Sequence, residues 1–571
     1  MKLILSEYLR TLKERNELDS LLPKLLFSMD LIPQSKTQTG TRQYGVDLSA
    51  VGPDPEDGIK KLFLFVIKRG DLGRAEWDTG PQSIRQSINE IFDVYLVSQV
   101  SEENKKLPLV IVLTTSGDKK EEINSNWNGY VNQKKSEAQI RFWGADSLAS
   151  LIEKFLLNEN IFSTDDRNDL RRALALAGEI DYKPESLHLL IRRQLGLDSL
   201  GKFDNSNLSK PVKLERKVQL VNLSTKLFNH WATIQENSKQ ALQATERALL
   251  WTWHRIKNEK KTGKKSKLTK EFNFLWHTYE EIGKVLVNNL QDHYQTEDGI
   301  LGDISENAIL SIILFEQIGI LASIGLAHIY NLGDTVDEDK QKHIELLSSN
   351  LVALIRNNSG SGSPRLDEHV IDINLALLFL VLSGEREEAE AWLAQLVSRV
   401  DFAFKGQLYF PVNSVDELLS LEVEFDSAED NGFNYMSWTL PTLADWCTFF
   451  NRTDLYLILA NGSKNKYSRV CQQLWHPTVE LYDVLYFEQS AHTINGVSEA
   501  PIILPPTIEA YRERIDKVLE RQELNILAEP SNRSFKAGID FVAYRHFRTM
   551  IPPIILYSEF QQNGDSIPLQ G

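Results

Sequence analysis

Cysteine is almost missing from this chain: Cys447 and Cys471 are the only two in 571 residues, and no CxxC pair or cysteine cluster exists. A disulfide framework and a cysteine zinc centre are therefore excluded, and a reducing, cytoplasmic setting is expected. Proline and glycine are also sparse, 19 and 30 residues, which excludes collagen-like and low-complexity chains. An excess of positive charge is absent as well. The formal charge of -16 excludes a protein that coats nucleic acid through overall basicity, so any contact with phosphates has to be local.

Several chemistries lack their motifs. The 11 histidines show no HExxH or comparable ligand spacing, which leaves zinc hydrolysis without support. The segment TGKKS at Thr262 is not a phosphate loop, because Asn258 stands where the first glycine is required. The opening MKLILSEYLRTLKER has charges through its first turns and no long apolar core, so export is not expected. Ala308 to Ile329 is apolar enough to raise the question of a membrane span, but Glu316 and Gln317 at its middle predict a buried helix. No membrane partner is expected.

What is present is enough apolar material for two or three cores. The first 30 residues predict one helix, with Leu18, Leu21, Leu22, Leu25, Leu26 and Met29 at three-and-four spacing. Strand patterns at Tyr44 to Val51 and Lys61 to Lys68 flank the turn-rich GPDPEDG and predict a hairpin. Pro81 opens a helix carrying Ile84, Ile88, Ile91 and Tyr95 on one face; strands at Leu107 and Gln139 and helices at about Glu121 to Lys135 and from Ser147 follow. The order αββαβαβα predicts a mixed sheet flanked by helices. Three regions are expected: an α/β head over 1–160, a helical connector over 161–210, and an α-helical body over 211–571 with room for two subdomains.

In the body, GKFDNSNLSKP at Gly201 and NNSGSGSP at Asn357 read as polar or flexible breaks between helices. GEREEAEAWLAQL has the flavour of a tetratricopeptide helix, but no fixed period is sustained, so an irregular helical array is expected. The lysine run from Lys257 to Lys270 reads as a solvated loop, with contact to a nucleic-acid backbone or an acidic partner as the other reading. Trp251, Trp253, Trp276, Trp438 and Trp446 read as core or helix-interface residues.

Chemistry concentrates in RQYGVDLSAVG and KKLFLFVIKRGDLGRAEWDTGPQSIRQSINEIF. With the bend near residue 57, Asp47 and Lys68 are expected opposite each other at the end of the hairpin remote from the turn. Lys68 ends a strand that is otherwise apolar on both faces, and a lysine there needs a carboxylate, a metal site or a phosphate.

These residues resemble the restriction-endonuclease-like, or PD-(D/E)XK, superfamily, and its Mrr-like branch in particular. The matching pieces are Leu18-Asp19 ahead of LLFSMDL, YGVDL with Asp47, FVIKRG with Lys68, and Gln82 or Gln86, closed by QIRFWGADSLASLIEKF; they cover about residues 15 to 155. The resemblance implies a restriction-endonuclease-like fold in which Asp47 and Asp19 ligate Mg²⁺ or Mn²⁺ and Lys68 positions or activates the attacking water. Arg69, Arg74, Arg85, Gln82 and Gln86 are then the local contacts to nucleic acid, DNA in the first place. Val66 departs from the family pattern, which has Glu, Asp or Gln two residues before the lysine. Asp71, Glu76 and Asp78 are candidates for a relocated carboxylate, with solvated loop residues as the plainer reading. The resemblance implies a metal-dependent nuclease of bacterial defence, its helical body sensing a trigger, binding a protein partner or self-associating. The departure at Val66 implies the alternative, a degenerate nuclease-like domain that binds nucleic acid or protein without cutting.

Overall fold

The computed structural model describes residues 2–12, 14–34, 44–80, 83–156, 163–179, 182–199, 201–202, 213–257, 259, 267–300, 307–330, 338–405, 411–423, 436–465, 467–477, 485–487, 496–499, 502–519 and 533–551. The chain divides into two compact units: Met1–Leu190 with Lys226–Ile234, and Ile191–Thr225 with Gln235–Gly571.

The first unit is built on a five-stranded sheet whose spatial order follows the chain: β1 (Ile32–Pro33), β2 (Leu48–Pro53), β3 (Lys60–Lys68), β4 (Leu109–Thr115) and β5 (Gln139–Trp143). The pairs β1–β2 and β2–β3 are antiparallel, and β3–β4 and β4–β5 are parallel. The mixture follows from the connections. A tight turn joins β2 to β3, whereas α3 (Arg74–Asp78), α4 (Ile84–Glu90) and α5 (Leu96–Ser98) lie between β3 and β4, and α6 (Glu121–Lys134) between β4 and β5. α7 (Ala145–Leu151) follows β5. The expected mixed sheet with flanking helices is present.

The expected single N-terminal helix is two. The first helix, α1 (Lys2–Thr11), ends where the Leu12 N–H donates to the Leu9 carbonyl and the Thr11 hydroxyl to the Tyr8 carbonyl. A π-helical turn, Glu14–Leu18, then runs into α2 (Asp19–Ser28). The apolar spacing still marked the buried side, since Leu18, Leu22, Leu25, Leu26 and Met29 are all buried.

β3 is the centre of this unit. Leu62 through Ile67 are all 3% exposed or less, because both edges are hydrogen-bonded and both faces covered. On one face Leu62, Leu64 and Val66 pack with Ile84, Ile88, Ile91, Ile123 and Trp127. On the other, the rings of Phe65 and Trp143 lie 5.5 Å apart. At the end of the sheet where β3 begins, Asp54 is fully buried and bound on three sides: Lys61 Nζ lies 2.6 Å from Oδ2, Arg141 donates to both oxygens at 3.0 and 2.5 Å, and the Glu56 N–H donates to Oδ1. Burial pushes the Asp54 carboxyl upward, but the Arg141 and Lys61 hydrogen bonds outweigh it and hold the group well below the usual carboxylate range.

The second unit is mostly helical, as expected, with two small strand pairs the sequence had not announced: Met436–Ser437 parallel to Cys471–Gln472, and Leu474–Pro477 antiparallel to Gly496–Glu499. Its apolar helix Asn307–Tyr330 contains a span, Ile309–Tyr330, long and apolar enough to cross a membrane, but that span is 72% buried within the fold. The two polar residues at its middle have partners: Glu316 pairs with Lys239 at 2.6 Å, and Gln317 accepts from the Tyr294 hydroxyl. Trp251, Trp276 and Trp446 are buried and Trp253 and Trp438 half-buried. NNSGSGSP is not a flexible break. Ser359–Gly362 forms a 3₁₀ turn in which Ser361 is buried, its hydroxyl donating to the Ile355 carbonyl and its carbonyl accepting from Trp392 Nε1. Most of the lysine run after Lys257 and of GKFDNSNLSKP lies outside the described residues.

Replacing Asp54 by Asn leaves Lys61 and Arg141 only the more exposed carboxylates of Asp57 and Glu56, so faster hydrogen exchange at the β2 and β3 amides is expected at neutral pH, corresponding to a loss of about 1–3 kcal/mol. Because the folded carboxyl titrates low, the wild-type advantage is complete above the unfolded value of about 4 and shrinks as pH falls below it.

Candidate functional site

The segment entering β2 is shaped by Gly45, at φ +80°, where a Cβ would sit 2.0 Å from the Ser87 carbonyl oxygen of α4. Only glycine permits both the left-handed backbone and that approach. Two residues later Asp47 joins the edge of the hairpin: its N–H donates to the Phe65 carbonyl at 2.9 Å, and its Oδ2 accepts from the Ile67 N–H at 2.7 Å.

The expected pairing of Asp47 with Lys68 needs correction. Leu48 is opposite Phe65 and Pro53 opposite Lys60, so the register carried one step further places Asp47 beside Val66. The reason is the turn, where the Asp54 N–H donates to the Ile59 carbonyl and the Gly58 N–H to the Asp54 carbonyl, moving the bend one residue toward the N-terminus. Lys68 is half-buried at the end of β3, level with Thr115 of β4, and its charge still acts on Asp47.

The charges of two further carboxylates act on Asp47. Burial raises the Asp47 carboxyl to about 6, and the negative charges of Glu14 and Asp19 add to that rise against the Ile67 hydrogen bond and Lys68. Asp19, the first residue of α2, has its Oδ1 buried without a hydrogen-bond partner. Asp47, Asp19 and Lys68, singled out from the sequence, are thus brought into one electrostatic neighbourhood. Glu14 was missed. It lies in the π turn, whose i to i+5 bonds bring residues five apart toward a common side, whereas the ordinary helical period used in reading the sequence separates Glu14 from Asp19.

The other candidates are placed as follows. Arg69, Arg74, Arg85 and Gln86 are exposed, while Gln82 and the preceding Pro81 lie outside the described residues. Arg85 pairs with Asp78 at 3.4 Å. Asp71 accepts from the Asp118 N–H and pairs with Arg10 at 3.6 Å, and Glu76 accepts from the Gly73 N–H at the start of α3. Asp71, Glu76 and Asp78 therefore serve loop and helix-cap roles. The loops after β3 and β4 are joined by Gly70 N–H to Ser116 Oγ, Thr115 Oγ1 to the Gly70 carbonyl and Leu72 N–H to the Asp118 carbonyl, which makes a firm floor beyond Lys68.

Among the described residues no group of three His, Cys, Asp or Glu side chains is placed to hold a metal ion. A hydrated Mg²⁺ needs only one or two carboxylates, and the unbonded Asp19 oxygen beside the crowded Asp47 fits that demand. No family model, curated protein or solved structure matches the chain.

The raised Asp47 value sets a pH dependence. Between about 4 and 6 the folded carboxyl keeps a proton that the unfolded chain has released, so this group's contribution to stability falls as pH rises through that window. Asp47→Asn is expected to be more stable than the wild type at pH 8, on the order of 2 kcal/mol, with the difference gone near pH 4. Thermal melting of the pair at both values checks it; equal melting at pH 8 would contradict the assigned burial.

Proposed function

We propose that the first unit is a metal-dependent nuclease. The observation that carries this reading is the electrostatic coupling of Asp47 to Asp19 and Glu14 beside Lys68, three half-buried acids whose mutual repulsion a bound cation would relieve. Asp47 and Asp19 are the residues to hold Mg²⁺ or Mn²⁺, with Glu14 completing the negative field. The bound ion supplies charge neutralisation at the phosphodiester and a water of lowered pKa. Lys68 orients that water and faces the phosphate, while Arg69, Arg74, Arg85, Gln82 and Gln86 form the local contact to the nucleic-acid backbone that an acidic chain requires. DNA is the first substrate to try, and defence against foreign nucleic acid is the role the family likeness implies, with the helical unit as sensor, partner surface or assembly element in the cytoplasm.

A second reading has its own observation. Val66 stands beside Asp47 in the register and offers no oxygen, and among the described residues no third ligand is placed with the pair. On this reading the unit binds nucleic acid or protein without cutting.

Cleavage of plasmid, single-stranded DNA and RNA by the full chain with Mg²⁺ or Mn²⁺ separates the two. The nuclease reading expects cutting that falls about a hundredfold or more in Asp47→Ala and Lys68→Ala while folding is kept. Binding of the nucleic acid that persists in both variants, without cutting by any of the three proteins, supports the scaffold.

A further inference from the structure

Two arginines of the second unit are held by carboxylates. Arg548 holds Asp372 through two hydrogen bonds at 2.8 and 2.9 Å, and Arg545 donates to Glu246, a carboxylate with no exposed surface. Arg247 is not paired in this way. It lies on the helix Ser238–Ile256, half-buried, and among the described residues no carboxylate comes within ion-pair distance of it. Its one hydrogen bond runs from Nε to His546 Nε2 at 3.3 Å.

That bond is the end of a chain. His546 Nδ1 lies 3.0 Å from Glu246 Oε2. An ionised carboxylate only accepts and a guanidinium only donates, so the ring carries its hydrogen on Nδ1, gives it to Glu246, and receives Arg247 on Nε2. Burial lowers the affinity of His546 for a second proton, and the nearby Arg247 and Arg545 charges act in the same direction. Around His546 one negative charge, Glu246, faces two positive ones, Arg545 and Arg247; Glu316, which also acts on Arg545, is paired with Lys239. Glu246 is already committed to Arg545, which leaves Arg247 in excess.

The environment of Arg247 does not offset that charge. Its guanidinium carbon is 5.6 Å from the ring centre of Trp251 and 6.0 Å from that of Phe547, the outer edge of the cation–π range of about 6 Å. Ring contacts that distant return less than the loss of hydration of a charge costs. Meanwhile the His546 bond fixes Nε and leaves both terminal amino groups of Arg247 without a hydrogen-bond partner among the described residues. A planar donor fork, oriented from behind and flanked by two rings, matches an oxyanion accepting two parallel bonds.

We propose that Arg247, held by Glu246 through His546 and flanked by Trp251 and Phe547, is a binding site for an oxyanion, the carboxylate or phosphate group of a small ligand. The site is independent of the nuclease reading, since it uses none of its residues. The ligand stabilises the second unit by satisfying the excess cation, so occupancy is read as a rise in melting temperature that saturates with ligand concentration.

The test is melting of the full chain titrated with inorganic phosphate and, separately, with acetate, at constant ionic strength held by chloride. Wild-type protein is expected to respond to one or both anions, and which one identifies the ligand group. Arg247→Gln is expected to lose the response. Arg247→Lys keeps the charge but not the fork, and is expected to bind about tenfold or more weakly; it carries the test if the Gln variant does not fold. Equal responses in wild type and Arg247→Lys, or none in the wild type with either anion, would overturn the site.

Discussion

The first unit depends on the burial of β3 between two hydrogen-bonded neighbours. Every backbone donor and acceptor along Leu62 to Ile67 that leaves water has to find a partner; β2 and Asp47 supply them on one edge and β4 on the other. Once both edges are used, the two faces have to be covered, which the side chains of α4 and α6 do on one side and Trp143 helps to do on the other. The polar ends of the strand are then the places where charge can sit. At the start of β3, Asp54, Lys61 and Arg141 satisfy one another. At its finish, Lys68 lowers the Asp47 carboxyl while Glu14 and Asp19 raise it.

That contrast is what separates structure from site. Asp54 is buried and Asp47 half-buried; at the Asp54 end bidentate and charge-assisted hydrogen bonds outweigh the loss of water, whereas at the Asp47 end the loss of water prevails and like charges add to it. A carboxyl that burial and like charges raise at one end of a well-packed sheet is the physical feature on which the proposed site rests. The same logic picks out Arg247 in the second unit, where Arg545 and Arg548 have carboxylates and Arg247 has none within reach among the described residues.

Legibility from the sequence followed the range of the interactions involved. The periodic spacing of Ile84, Ile88 and Ile91, the unbroken apolar run of β3 and the helical spacing within Glu121–Lys134 are local patterns, and the elements appear where those patterns lie. The strand pairing was offset because register depends on how a turn closes, and the Asp54 to Ile59 hydrogen bond is not visible in a run of turn-forming residues. NNSGSGSP has the composition of a flexible linker, but its small side chains let the turn enter the packed interior, where Trp392 and Ile355 bond to it.

By itself the sequence determined the α/β character of the head, the helical character of the body and the central strand, because alternation and helical period are written in neighbouring residues. Only the tertiary structure decided that Asp47 lies beside Val66, that Glu14 joins the acidic group through a π turn, and that Arg247 is left with a surplus charge. Those outcomes depend on hydrogen bonds between residues as far apart as Arg247 and His546, and no local pattern carries the balance of charges that the fold buries together.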